Sequence, residues 1–144
     1  MSLFSLLSVS ASVMAAQRTR AELLVENLVN AETTRTPEGG PYRRKDAVFA
    51  AGGAPSPFAS VFESVSGAPA AVRVEEIVVD RREPERRYLP GHPDADSEGY
   101  VAFPRVNAAE DMVDLMGASR GYHANVSAMS AVKEMIHRSI DLLR

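Results

Sequence analysis

The run Asn107-Ala-Ala-Glu-Asp-Met-Val-Asp-Leu-Met-Gly-Ala-Ser-Arg-Gly-Tyr-His-Ala-Asn-Val-Ser-Ala-Met-Ser-Ala-Val-Lys-Glu-Met-Ile-His-Arg-Ser-Ile-Asp-Leu-Leu143 decides the architecture. Within it Ala108, Met112, Leu115, Ser119, Tyr122, Val126, Met129, Lys133, Ile136, Ile140 and Leu143 alternate steps of four and three. An α-helix completes a turn in 3.6 residues, so this spacing keeps returning to one side. Only Ser119 and Lys133 break the apolar character, and a pattern this long argues for coiled-coil packing. Asn107 with Glu110 three residues on is a capping box with Asn in place of Ser or Thr. A helix of about 36 residues would reach ~54 Å. Gly117 and Gly121 lie one turn apart inside it, each costing about 1 kcal/mol relative to Ala. The pair reads equally well as a site of close backbone approach or as a tolerated weak point.

The other end of the chain carries the same signal. From residue 3 to 31, Leu3, Leu7, Ser10, Met14, Gln17, Ala21, Leu24, Leu28 and Ala31 again step by four and three. Leu6, Val9, Val13 and Ala16 form a second apolar stripe beside the first. A helix of roughly 40 Å with two stripes needs more than one partner.

Proline separates these ends from the middle. All nine prolines fall between Pro37 and Pro104, as do seven of the nine glycines. Proline costs ~3 kcal/mol in a helix interior, so both ends are free to be helical and the middle is not. Expected strands are Tyr42 to Phe49, Val72 to Asp80 and Tyr100 to Phe103, the last as partner to the second across a polar, turn-rich link. Residues 50 to 69 read as an Ala/Gly/Ser/Pro loop. The fold class is thus mainly α with a small β element: two long terminal helices in a coiled-coil-like hairpin around a β-hairpin or irregular middle. The boundaries are 1–34 for the N-terminal helix, 35–105 for the middle and 106–144 for the C-terminal helix.

Composition narrows the function. Apolar residues make up 45% of the 144, but aromatics only 6%, with no Trp, which suits long thin packing surfaces better than one thick core. A net charge of −3 with mixed signs argues against nucleic acid as partner. The absence of Cys excludes disulfides and thiolate chemistry. Residues 3 to 16 are fairly apolar, yet no Lys or Arg precedes them and the helical pattern continues in phase, so a cleaved secretory signal is not expected. No stretch approaches the ~20 apolar residues of a membrane span.

Catalytic signals are weak. His92, Asp94 and Asp96 alternate as metal ligands in a loop would, but Pro90-Gly-His-Pro-Asp-Ala-Asp96 reads better as a tight loop of Pro, Gly and Asx turns. His123 and His137 lie beside the C-terminal seam, are not paired at i, i+4, and read as surface or interface residues. Nucleotide-binding glycine motifs are absent, and Gly117-Ala-Ser-Arg-Gly121, which has the Gly-x-Ser-x-Gly spacing, lies inside the long helical pattern rather than on a strand-to-helix turn. Arg43, Arg44 and Lys45, and Arg81, Arg82, Arg86 and Arg87, sit beside Asp46, Asp80, Glu83 and Glu85, the pattern of a charged face rather than a phosphate site. Catalytic, cofactor and metal sites are all expected to be none, and no small-molecule substrate is implied.

Four stretches carry a resemblance: Leu24-Val-Glu-Asn-Leu-Val-Asn-Ala-Glu-Thr-Thr34, Thr36-Pro-Glu-Gly-Gly-Pro-Tyr-Arg-Arg-Lys-Asp46, Pro90 to Asp96 with Glu98-Gly-Tyr-Val101, and Ala118-Ser-Arg-Gly-Tyr-His-Ala-Asn125. In this order they resemble the flagellar rod, hook and related axial proteins, and among them the proximal rod subunits. The match spans nearly the whole chain outside residues 50 to 69, with Gly121 a departure where a helix former is expected. The resemblance implies a non-enzymatic subunit, exported through the flagellar type III apparatus without a cleaved signal. It also implies a place in the periplasmic basal-body rod, a drive shaft and export channel. The partners it implies are copies of itself, related rod proteins, the hook-basal body complex protein at the rod base and surrounding ring proteins. The assembly interface it suggests is Leu7, Met14, Ala21, Leu24, Leu28, Met112, Leu115, Tyr122, Val126, Met129, Ile136, Ile140 and Leu143. Two other classes compete: a coiled-coil adaptor or chaperone-like protein, and a small metal enzyme using His92, Asp94 and Asp96.

Overall fold

The computed structural model describes residues 3–52 and 71–142. A helix, α1, spans Leu3–Val29, and a second, α2, spans Ala108–Asp141. Between them lie β1 (Lys45–Ala51), β2 (Val72–Val79), β3 (Glu85–Tyr88) and β4 (Tyr100–Phe103). The two helices run antiparallel: Arg20 meets Asp114 at 3.4 Å, and Gln17 lies against Gly121. At 1.5 Å per residue, α1 is about 40 Å long and α2 about 51 Å. No described helix is long and apolar enough to cross a membrane.

Helix ends follow from local chemistry. Asn107 caps α2 as expected, its Oδ1 accepting from the N–H groups of Ala109 (3.2 Å) and Glu110 (3.4 Å). Glu110 and Asp111 add favourable charge to that first turn. At the end of α1, Asn30 donates its amide to the Glu26 carbonyl at 2.9 Å and accepts from the Thr33 hydroxyl, ending the helix in a turn. The chain then reverses through Thr36–Gly40, whose Gly39 and Gly40 have φ of 93° and 76°, conformations that side chains with a Cβ resist.

The middle differs from the expected pairing. Val72–Val79 pairs with Lys45–Ala51, and Tyr100–Phe103 pairs with Glu85–Tyr88, giving two separate antiparallel ribbons. Tyr100–Phe103 is therefore not the partner of the second strand. The overlooked strand, Glu85-Arg-Arg-Tyr88, has four exposed residues and so no apolar alternation to reveal it. The first strand starts at Lys45 rather than Tyr42, because the Tyr42 N–H is taken by the Thr33 carbonyl at 3.0 Å. The expected loop at 50 to 69 lies almost wholly outside the described residues.

α1 is clasped on two sides. The β1–β2 ribbon lies along it, with Ser12 Oγ accepting from the Val72 N–H at 3.0 Å, and Leu23 and Leu24 beside Ala47 and Phe49. Of the second stripe of α1, Ala16 is buried, Val9 and Val13 are half-buried and Leu6 is 37% exposed. Among the described residues the buried apolar side chains are Ala16, Leu23, Leu24, Tyr42, Val101, Phe103 and Ala118. That is a small core for helices of this length.

The β3–β4 ribbon closes through a loop in which Asp96 Oδ1 accepts from the N–H groups of Glu98 and Tyr100. Gly99 has φ +82°, and a Cβ there would sit 2.9 Å from the Tyr88 ring and 3.2 Å from Pro90. Gly99→Ala should therefore lower unfolding free energy by about 1–3 kcal/mol, read by chemical denaturation. Gly39→Ala, with open space around it, should cost less than Gly99→Ala.

Candidate assembly interface

Asn27 occupies a position that would otherwise continue the apolar face of α1 toward the ribbon, and it is fully buried. Its Nδ2 donates to the Lys45 carbonyl at 2.9 Å, while its Oδ1 accepts from the Lys45 N–H at 3.0 Å and the Tyr42 hydroxyl at 2.9 Å. The amide thereby engages both main-chain groups of Lys45, as a neighbouring strand would. Lys45 stands opposite Val79, and its main-chain groups face away from β2. Asn27 is what satisfies them. Burial first, then the charges of Glu26, Asp111 and Asp46, push the Tyr42 hydroxyl up to about 12, so it stays a donor at any ordinary pH.

Next to this clamp lies a second buried polar contact. Asp111, in the first turn of α2, is fully buried with Arg44 Nη2 at 2.9 Å. Arg44 also reaches Asp46 at 3.4 Å. The guanidinium approaches Asp111 without directing an N–H along a good hydrogen-bond line, leaving both carboxylate oxygens and Arg44 Nε without a bond. Burial raises the Asp111 carboxyl above the ordinary range; Arg44 opposes the shift, and Asp46, Asp114 and Glu110 reinforce it. Asn27, Arg44 and Asp111 together join the end of α1, the start of β1 and the start of α2. None of the three was singled out as a site residue from sequence. The available signal was a polar side chain on a face that packs.

The expected interface residues fall into two groups. On α1, Leu24 is buried at 3% exposure and Leu7, Met14, Ala21 and Leu28 are half-buried. On α2, Leu115, Met129 and Ile136 are half-buried, whereas Met112 and Ile140 (56% each) and Tyr122 and Val126 (39% each) are exposed. Leu143 lies outside the described residues. The side of α2 turned to α1 runs instead through Asp111, Leu115, Ala118, Gly121, Asn125, Met129, Val132 and Ile136. It is rotated by about one residue from the expected seam along much of its length. Gly121 lies at that crossing, but the nearest atoms to an added Cβ, Gln17 Cδ and Nε2, are 3.5 Å away, an ordinary contact. Gly117 faces open space. A cleft of about 520 Å³ lies between the helices, lined by Gln17, Ala21, Leu115, Ala118, Ser119 and Tyr122 among others.

The loop at residues 90 to 96 spends its polar groups internally. Asp94 accepts from the Thr34 hydroxyl at 2.8 Å, tying this loop to the chain leaving α1, and Asp94 N–H donates to His92 Nδ1. Asp96 also meets Arg86 at 3.1 Å. The basic patches are paired in the same way: Arg82 with Asp80, Arg87 with Glu85, Lys45 with Glu26. Bonds from Arg82, with Arg105 nearby, pull the Asp80 carboxyl down to about 2.

Residues 97–142, which contain β4 and α2, match the family model described as flagellar basal body rod FlgEFG protein C-terminal. The flagellar basal-body rod protein FlgC of Borreliella burgdorferi is 38% identical, with 100% of this chain and 99% of that protein covered. The chain belongs to the FlgC family of flagellar basal-body rod proteins. FlgC of Bacillus subtilis is 39% identical and FlgC of Salmonella typhimurium 34%, each covering 99% of this chain and 99% and 98% of the relative.

The FlgC-family chain makes two checks possible at its buried polar junction. Asn27→Ala strands both main-chain groups of Lys45 and the Tyr42 hydroxyl, and should cost about 3 kcal/mol in an unfolding titration. For Asp111 the folded carboxyl binds its proton more tightly than the unfolded one, so its contribution to stability falls as pH rises above about 3.8. Asp111→Asn removes that component. The stability of the variant relative to the wild type should therefore rise with pH across this range.

Proposed function

We propose that the chain is a structural subunit that assembles helically, through α1 and α2, into the periplasmic rod of the flagellar basal body. In this reading residues 1–34 and 106–144 form the inner layer of a tube that serves as drive shaft and export channel, and residues 35–105 form an outer or bridging element. Its neighbours are further copies and related rod proteins, with the hook-basal body complex protein at the base and ring proteins around it. It reaches that place through the type III export apparatus with no cleaved signal, and it catalyses nothing.

The observation that carries the reading is the apolar surface that α2 leaves exposed. Met112, Val113, Met116, Tyr122, Val126, Met135 and Ile140 are each 39% or more exposed along a helix of 34 residues. Isolated exposed apolar residues are common on protein surfaces, but seven of them on one long helix mark it as a contact surface. α1 adds Phe4, Val25 and Val29 on its own outer face. A head-to-tail contact that does not close generates a helix of subunits. The small core also fits export as an unfolded chain, with the helix ends ordering on assembly.

Substitution separates folding from assembly. Ile140→Asp or Val126→Asp places charge on a surface that is open in the monomer, so monomer stability should shift by no more than about 0.5 kcal/mol. Cells carrying either variant should export the protein yet fail to build the rod and fail to swim. Normal swimming by the Ile140→Asp strain would refute the reading. Leu24→Asp, at a buried position, should instead unfold the monomer.

Gly117→Ala supplies a further check. Open space around Gly117 predicts a gain of about 1 kcal/mol in the isolated chain. A simultaneous loss of motility would locate a neighbouring backbone against Gly117 in the rod. Circular dichroism of dilute monomer should show less helix than the 61 residues that α1 (27) and α2 (34) contain.

A further inference from the structure

Methionine is the only source of sulfur in this chain, with six residues and no cysteine. Met14, on α1, and Met129, on the side of α2 turned to α1, are half-buried. Met112, Met116 and Met135, all on α2, are exposed at 56%, 52% and 49%. Met112 and Met116 lie one turn apart, so their side chains are neighbours on the helix surface. Val113, also exposed, extends that apolar patch. Met135 lies roughly 28 Å further along the helix. Its sequence neighbours are Lys133, Glu134 and Arg138, the last two joined in an ion pair.

With no thiol to compete, an exposed thioether is the group here that a peroxide oxidises most readily. A sulfur lone pair attacks one peroxide oxygen, and an S–O bond forms as the O–O bond breaks. The proton of the transferred hydroxyl passes to the departing hydroxide. Sulfur is oxidised by two electrons to a sulfoxide, and the peroxide is reduced to water. Access sets the order, so Met112 and Met116 react before Met14 and Met129. The product is a polar side chain where an apolar one stood. In the free subunit water solvates the new oxygen and the fold is undisturbed. Under a neighbour's apolar surface that oxygen would be buried without a hydrogen bond, which is costly.

We propose that Met112 and Met116 form a reversible oxidation site that decides whether a free subunit can join the rod. As thioethers they enter the contact, and as sulfoxides they keep α2 out of it. This rests on the reading of the apolar surface of α2 as the contact between subunits. The timing follows from that surface: both sulfurs are open before assembly and covered after it, so a subunit already in the rod is protected. A thiol-dependent methionine sulfoxide reductase reverses the step, releasing water as two thiols become a disulfide. Met135 is oxidised too, but a sulfoxide there stays among charged side chains and does not decide assembly.

The test compares strains making the wild-type chain, the double variant Met112→Leu with Met116→Leu, or Met135→Leu. Leucine keeps the volume, apolarity and helix propensity of methionine and cannot be oxidised. With hydrogen peroxide present during assembly, incorporation into basal bodies should fall about tenfold for the wild type and for Met135→Leu. For the double variant it should stay within about twofold of the untreated level. Met112→Gln with Met116→Gln, a polar stand-in for the sulfoxides, should lower incorporation without peroxide. The circular dichroism of that free chain should match the wild type. Mass spectrometry should find both sulfoxides in peroxide-treated free chain, and neither in intact basal bodies treated alike. Equal loss in the wild type and the double leucine variant overturns the oxidation site and leaves the rod reading standing. Protection by Met135→Leu overturns the placement of the site. Equal oxidation of both sulfurs in free chain and basal bodies overturns the site, and with it α2 as the contact surface. Absence of the wild-type chain from untreated basal bodies overturns the rod reading itself.

Discussion

The buried amide of Asn27 is the contact on which the rest of the molecule is arranged. One side chain, in the middle of a packed helical face, takes the place of a missing strand for Lys45. A buried main-chain N–H and C=O left unpaired would be costly, so the ribbon can dock on α1 only where an amide can meet them. This fixes both the position and the direction of β1 against the helix. It also fixes the chain between them, since Tyr42 donates to the same oxygen.

Once the ribbon is fixed, the allocation of surfaces follows. α1 gives one side to the ribbon and an adjacent one to α2, and its outer face through Ser8, Ala11, Ala15, Arg18, Glu22, Val25 and Val29 is exposed. Beyond its first turn, where Asp111 meets Arg44, α2 lies on α1 alone among the described elements, and it is the longer helix. Most of its circumference is therefore uncovered, including residues that are apolar on any scale. The same chain that solves its polar bookkeeping at one end leaves its apolar surface unsolved at the other. An assembling subunit needs that combination: a fixed internal geometry to transmit register, and open faces for contacts with neighbours.

How much of this was visible in the sequence depends on which force set each feature. Helices at Leu3–Val29 and Ala108–Asp141 were legible because proline exclusion and a repeat of four and three both point the same way. The cap at Asn107 was legible because capping is local. The side of α2 packed on α1 lies about one residue from the apolar seam, since it includes Asp111, Gly121 and Asn125, which an apolar count passes over. Strand pairing was misjudged for a related reason: β3 carries Glu85, Arg86 and Arg87, held by ion pairs and by Arg87 over the Phe103 ring at 4.7 Å. Nothing in the pattern of apolar residues announces a strand of that kind. The junction of Asn27, Arg44 and Asp111 depends on residues 17 to 84 positions apart, a relation that single-sequence periodicity does not contain.

The Arg44–Asp111 pair shows how specificity and stability part company at this junction. Two charges taken out of water pay a desolvation cost that their attraction often fails to repay, and here neither Asp111 oxygen gains a well-directed hydrogen bond. Apolar residues of similar volume would pack the start of α2 against β1 with no such cost. They would also permit several relative positions of helix and ribbon, whereas a buried carboxylate tolerates only positions that keep Arg44 within reach. The pair thus acts against sliding more than against unfolding. In a chain whose outer faces are open, that is the more useful property, because a small error in the angle between helices and ribbon would be carried from each copy to the next.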